Sequence, residues 1–108
     1  MEAVSHLATL RPPDVRDRLR LLIGDADTYV RMRAVERLGV VGDRRDVPAL
    51  IAALRDVTPP VRWAAASSLG RLKDERALRP LESALKTETD GASRQAIEDA
   101  IRQIRGGR

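Results

Sequence analysis

At 108 residues the chain has room for one compact unit, not for a catalytic domain beside a regulatory one. Hydrophobic residues make up 43% and charged residues 33%, a globular balance, while aromatics are only 2%, so the core must be built from Leu, Val, Ile and Ala. The absence of cysteine excludes disulfides, thiolate nucleophiles and Cys-based metal sites and fits a reducing, cytoplasmic compartment, the single His excludes a multi-His site, and the net charge is +4.

Helical periodicity runs the length of the chain and predicts helices over 1–10, 13–23, 28–41, 46–54, 59–72, 77–86 and 91–105. The second of the long helices shows the pattern best, with Val30, Ala34, Leu38 and Val41 on one face. The short helices carry Val47, Leu50, Ile51 and Leu54, then Leu78, Leu81 and Leu85. Asp27, Thr58 and Asp90 precede the long helices as N-caps, and Pro48, Pro59 and Pro80 fall in first turns, where a missing N–H costs little. Strand periodicity is missing. The longest apolar run, Val47 to Leu54, is too short to span a bilayer or to serve as the apolar part of a signal peptide.

These helices repeat. A 31-residue offset lays Val30-Arg31 on Val61-Arg62, Leu38-Gly39 on Leu69-Gly70, Asp43 on Asp74 and Leu50 on Leu81, and a further step with one inserted residue carries Arg62, Leu69 and Leu72 onto Arg94, Ile101 and Ile104. A period of this size means a solenoid. The predicted fold is all-α, an α-α superhelix of about three and a half helical hairpins. The predicted repeats are 1–24, 25–55, 56–86 and 87–108, the last lacking its second helix, and the first lacks its opening turn because Met1 aligns with mid-helix Met32 and Trp63. Leu38, Leu50, Leu54, Leu69, Leu81 and Leu85 are the expected core. Glu98 and Asp99, where the preceding long helix has Ala66 and Ser67, suit a terminal helix facing water.

The segment from Asp56 to Leu85, with Val61-Arg62, Ala64-Ala65-Ala66, Leu69-Gly70, Leu72, Asp74, Arg76-Ala77-Leu78, Pro80-Leu81 and Ala84-Leu85, resembles the short HEAT-like repeats also found in phycobilisome lyase subunits. The resemblance implies a right-handed superhelix with long helices outside and short helices lining a concave face. It also suggests that Arg31, Arg62 and Arg94 run along the stack to carboxylates such as Asp25, Asp56 or Asp90.

No enzymatic constellation accompanies these repeats. Deoxyhypusine hydroxylase is a HEAT-like protein built on His-Glu metal pairs, and the lone His6, followed by Leu7, forms none. Ser5 and His6 cannot share a triad, because adjacent helix residues point about 100° apart. Asp43 and Asp74 are expected to cap the short helices with Arg45 and Arg76 as local partners, and Gly39 and Gly70 to let helices approach closely.

The residue pattern favours a non-enzymatic scaffold or adaptor that binds a protein or peptide, acidic or partly apolar, on the short-helix face. Leu21, Ile51 and Ala52 would form an apolar floor beside Ser83, ringed by Arg20, Arg55, Arg79 and Lys86. Tyr29, Met32 and Trp63 form a second candidate contact on the opposite face, exposed there or buried in a weak homodimer; otherwise the chain is a monomer. Nucleic acid is disfavoured, because acids are interleaved with the arginines and only two aromatic rings are present. A nucleic-acid-binding module and a non-catalytic subunit of a lyase-type complex stand as alternatives. No cofactor, metal or membrane is implied.

Overall fold

The computed structural model describes the backbone of residues 15–106 and the side chains of residues 17–106. The expected helix over 1–10, with Ser5 and His6, lies outside the described residues. Six helices follow in order: α1 (Val15–Leu22), α2 (Thr28–Val41), α3 (Val47–Ala53), α4 (Pro59–Leu72), α5 (Leu78–Thr87) and α6 (Gly91–Gly106). There is no strand among the described residues. No described helix is long and apolar enough to cross a membrane.

The long helices start where capping chemistry places them. The Asp27 carboxylate accepts from the backbone N–H groups of Tyr29 and Val30 at 2.7 and 3.2 Å, and Asp90 accepts from Ser93 N–H at 2.9 Å, satisfying donors that the first helical turn leaves open. Thr58 departs from its expected role. It holds the extended cap conformation but makes no side-chain cap bond, since Pro59 and Pro60 remove two of the N–H donors a cap would serve. Its hydroxyl and N–H instead donate to Asp56 Oδ1 at 3.1 and 3.0 Å.

Each of the two later short helices is entered through a 3₁₀ turn, Arg44–Asp46 and Glu75–Ala77, so both begin one residue after the periodicity predicts. Asp43 accepts from Arg45 N–H while Asp46 accepts from Asp43 N–H, each at 2.9 Å, a reciprocal capping box. Asp74 accepts from Arg76 N–H at 2.9 Å.

Helices α2, α4 and α6 pack side by side in one layer, and α1, α3 and α5 lie against them in a second. Between the layers Val35, Leu38, Val47, Leu50, Val61, Leu69 and Leu81 are completely buried. Leu54 is buried as well, but Leu85 is only partly covered, because no further short helix packs on this end of α5 among the described residues. Glycines set the spacing of the long helices. A Cβ on Gly70 would stand 3.1 Å from the Ala100 Cα of α6.

A ladder of arginines joins successive turns. Arg31 donates through Nε to Asp56 Oδ2 at 2.8 Å and through Nη1 to the Asp25 carbonyl at 2.9 Å. Arg62 repeats the pattern with Glu88 Oε1 at 2.7 Å and the Asp56 carbonyl at 2.9 Å. The carboxylate on this rung is Glu88, not Asp90: Glu88 lies 32 residues after Asp56, while Asp90 lies 32 after Thr58 and takes the cap position of α6. Arg94 reaches the Leu85 and Glu88 carbonyls, both at 3.1 Å. The Arg62 guanidinium holds Glu88 below the ordinary carboxylate range against the opposing effect of burial. Burial pulls Asp56 upward, but hydrogen bonds from Arg31 and Thr58 outweigh it and leave its carboxyl lowered.

Candidate functional site

A groove of about 880 Å³ runs between α3 and α5 on the short-helix face. Pro48, Ile51, Ala52 and Leu54 come from α3 and its end, and Pro80, Ser83, Ala84 and Thr87 from α5. Both prolines sit in the first turn of their helix, Pro48 at its second residue and Pro80 at its third. The ladder residues Asp56, Arg62 and Glu88 close one end together with Arg55 and Thr89.

Of the residues expected on this face, Ile51, Ala52, Arg55 and Ser83 line the groove. Arg79 and Lys86 are exposed at four residues before and three after Ser83, which puts them on its face of α5. Leu21 is 79% exposed on α1 and lies apart from the groove lining. Arg20 is not available as a rim cation. It pairs with Asp17 and with the fully buried Asp46, 26 residues away, because a buried carboxylate needs a counter-charge.

The ladder arginine and its two acids are the charged groove residues that this prediction omitted, along with uncharged ones such as Pro80 and Thr89. The repeat position of Arg31, Arg62 and Arg94 was the available signal, but it pointed to packing and not to the groove wall.

Charge around the groove is uneven. Inside it, Arg62 is satisfied by Glu88 and Asp56 by Arg31. Asp43 and Asp46 are held by the capping box, and Asp74 accepts from Arg76 and Arg44. The Arg76 hydrogen bonds lower Asp74 to about 2. Among the described residues, by contrast, Arg55, Arg79 and Lys86 have no carboxylate within ion-pair distance. The acids near this face are engaged elsewhere, Asp43, Asp46 and Asp74 at caps, Asp56 and Glu88 on rungs and Glu82 of α5 with Arg105, which leaves Arg55, Arg79 and Lys86 without an ion-pair partner among the described residues.

The opposite face carries a shallower slot of about 510 Å³ between α4 and α6, walled by Trp63, Ser67, Arg71, Ala92 and Gln95. Trp63 and Tyr29 are 47% and 58% exposed, as expected. Met32 is more covered and packs against the core. Tyr29 lies beneath Arg33, whose guanidinium carbon is 5.7 Å from the ring centre.

Three comparisons place this architecture among known proteins. A family model described as HEAT repeats matches residues 1–60 and 19–102. Deoxyhypusine hydroxylase-B of Oryza sativa subsp. japonica is 32% identical over 104 residues, which cover 94% of this chain and 34% of that protein. The chain thus spans about a third of that relative's length. A crystal structure of epoxyqueuosine reductase with an epoxyqueuosine-modified tRNA-Tyr stem loop superposes with a TM-score of 0.74 at 22% identity, covering 81% of this chain and 28% of that one. Both proteins are enzymes, and the second is seen with RNA.

These relatives, both named as enzymes, correct the expectation of a protein- or peptide-binding adaptor. The metal chemistry of a His-Glu hydroxylase does not fit the residues present, since the chain has one His and no group of three His, Cys, Asp or Glu side chains among the described residues is placed to hold a metal ion. With the repeat pattern, the two-layer packing and the arginine ladder in accord with the match along its length, the chain belongs to the HEAT-repeat family.

Proposed function

We propose that this chain is a nucleic-acid-binding HEAT module that serves an enzyme by holding its substrate, and that it carries no catalytic group itself. The observation that supports this reading is the trio Arg55, Arg79 and Lys86 around the α3–α5 groove, exposed and without acidic partners among the described residues. Ten other described arginines do have such partners; Arg18, Arg37, Arg71 and Lys73, which also lack them, lie away from the groove lining, so it is the clustering of the trio at the groove that counts. Cations that the protein does not neutralise are available to phosphates, and releasing the counterions condensed on a nucleic acid drives such binding. A reductase of the same fold, seen with a tRNA stem loop, is in keeping with this use. The groove supplies hydroxyls, apolar surface and positive charge, which are means of holding a ligand; its two carboxylates are engaged by arginines.

The test is fluorescence anisotropy of a labelled RNA hairpin at about 50 to 200 mM salt. Binding should weaken steeply with salt. Arg55→Ala, Arg79→Ala and Lys86→Ala together should make the log–log salt slope shallower by about 2 to 3. The pair Arg37→Ala and Arg71→Ala, on the other layer, should leave it nearly unchanged. Salt-independent binding, or an equal loss from both sets, would overturn the proposal.

A further inference from the structure

We infer that the nucleic acid held in the α3–α5 groove is an RNA duplex met across its minor groove, an inference that rests on the nucleic-acid reading above and narrows it. The first reason is the placement of the rings. The chain has one Trp, one Tyr and no Phe, and both rings lie on the long helices, Tyr29 in α2 and Trp63 in α4. Neither lines the groove. Single strands are held chiefly by stacking bases on aromatic side chains, and this face has no such platform. A duplex keeps its bases stacked on each other and requires none.

The second reason is the chemistry of the groove floor. An A-form duplex presents a wide, shallow minor groove edged by ribose 2′-hydroxyls, whereas its major groove is too narrow for side chains. The groove here offers Ile51, Ala52 and Pro80 for the apolar faces of ribose, and Ser83 and Thr89 for the 2′-hydroxyls. Among the described residues neither Ser83 nor Thr89 has a hydrogen-bond partner for its hydroxyl. Arg55 stands at the end of the groove beyond α3, and Arg79 and Lys86 lie along α5, so exposed positive charge borders this floor at one end and along one wall. Cations so placed can meet the phosphates that edge a strip of sugar.

The experiment is competition against the labelled hairpin by an RNA duplex of about 16 base pairs, by each of its separated strands, and by a DNA duplex of the same sequence. The RNA duplex should compete at least about tenfold better than either strand and about fivefold better than DNA, and Ser83→Ala with Thr89→Val should bring RNA and DNA within about twofold of each other. If the single strands compete as well as the duplex, or DNA as well as RNA, the inference is overturned while the nucleic-acid reading stands. If no nucleic acid competes, both fall together.

Discussion

Gly39 of α2 lies directly against Ser68 of α4: a Cβ on Gly39 would stand 2.6 Å from the Ser68 Cβ and 2.8 Å from its Cα, and the Ser68 hydroxyl donates to the Val35 carbonyl at 2.8 Å. The contact involves backbone, so it cannot be relieved by turning a side chain. Gly39→Ala would gain about 1 kcal/mol of helix propensity, but forcing α2 and α4 apart is an overpacking change of about 1 to 3 kcal/mol. With Cβ and Cα both this close the cost should fall at the upper end of that range, giving a net loss of up to about 2 kcal/mol in urea unfolding. Gly91, with nothing within 4 Å of its built Cβ, is the control. Gly91→Ala should be neutral or slightly stabilising, and equal effects at the two sites would show that the helix spacing is not set by Gly39.

Leu69 sits in the last turn of α4 and is completely buried between the layers. Leu69→Ala should cost about 2 to 5 kcal/mol, the transfer term plus a cavity that close-packed neighbours can only partly fill. Leu85→Ala should cost clearly less, because that side chain is only partly covered. Denaturant midpoints at unchanged m-values would measure both.

Within the ladder, Arg62 is 20% exposed and its partner Glu88 4% exposed. Removing the guanidinium strands a carboxylate that lies almost wholly inside the protein, so Arg62→Ala should lose about 3 kcal/mol. The exposed pair Arg33 and Glu36, 3.6 Å apart at 55% and 49% exposure, should show coupling of no more than about 0.5 kcal/mol. Double-mutant cycles on the two pairs would separate them, and similar coupling energies would show that the ladder does not hold the stack together.

How far the sequence carried depended on whether an interaction was local. Helices α2 and α4 were predicted with their observed bounds, because the i, i+4, i+8 spacing of Val30, Ala34 and Leu38 and the residues Asp27 and Pro59 act within a turn or two. Asp43 and Asp74 were legible as caps for the same reason. Misplaced features depend on residues about one repeat apart. Arg20 was read as a rim cation, and nothing near it in the sequence announces Asp46. Glu88 took the rung expected of Asp90, because with the one inserted residue it is Glu88 that stands in register with Asp56. The free charge of the groove was hidden by the acids beside the arginines, whose capping and ladder roles appear only in three dimensions.

Acid should loosen the stack. Asp74 is lowered to about 2 from 3.8, and Glu88 and Asp56 are lowered as well. Groups whose folded pKa is depressed bind fewer protons folded than unfolded, so their contribution is complete above the unfolded carboxylate range and is lost as pH falls through the folded values. Stability should be level from about pH 6 to 5 and decline between about pH 4 and 2. For Asp74 the loss should be about 1 to 2 kcal/mol, discounted because its partners Arg44 and Arg76 are 80% and 48% exposed. Asp74→Asn should flatten part of that decline. An unchanged pH profile in this variant would show that the Asp74 carboxylate does not stabilise the turn.

Lys73 ends α4 with φ 52° and ψ 39°, the one non-glycine residue at positive φ among the described residues. Its N–H still donates to the Leu69 carbonyl at 3.1 Å, so the left-handed turn satisfies a helix-end acceptor that would otherwise lie open. Holding a β-carbon in that region costs about 1 to 2 kcal/mol. Lys73→Gly removes that strain but frees the unfolded chain, a loss of about 0.4 to 1 kcal/mol. The difference leaves a net gain of about 0.5 to 1 kcal/mol. Gly42, at the matching end of α2, has φ −82°, and a Cβ there would meet the Leu38 carbonyl oxygen at 2.5 Å. Gly42→Ala should therefore destabilise by more than about 1 kcal/mol. Opposite signs for the two variants in thermal unfolding are the expected result; a loss of stability in Lys73→Gly would mean that the end of α4 is not held in the left-handed conformation.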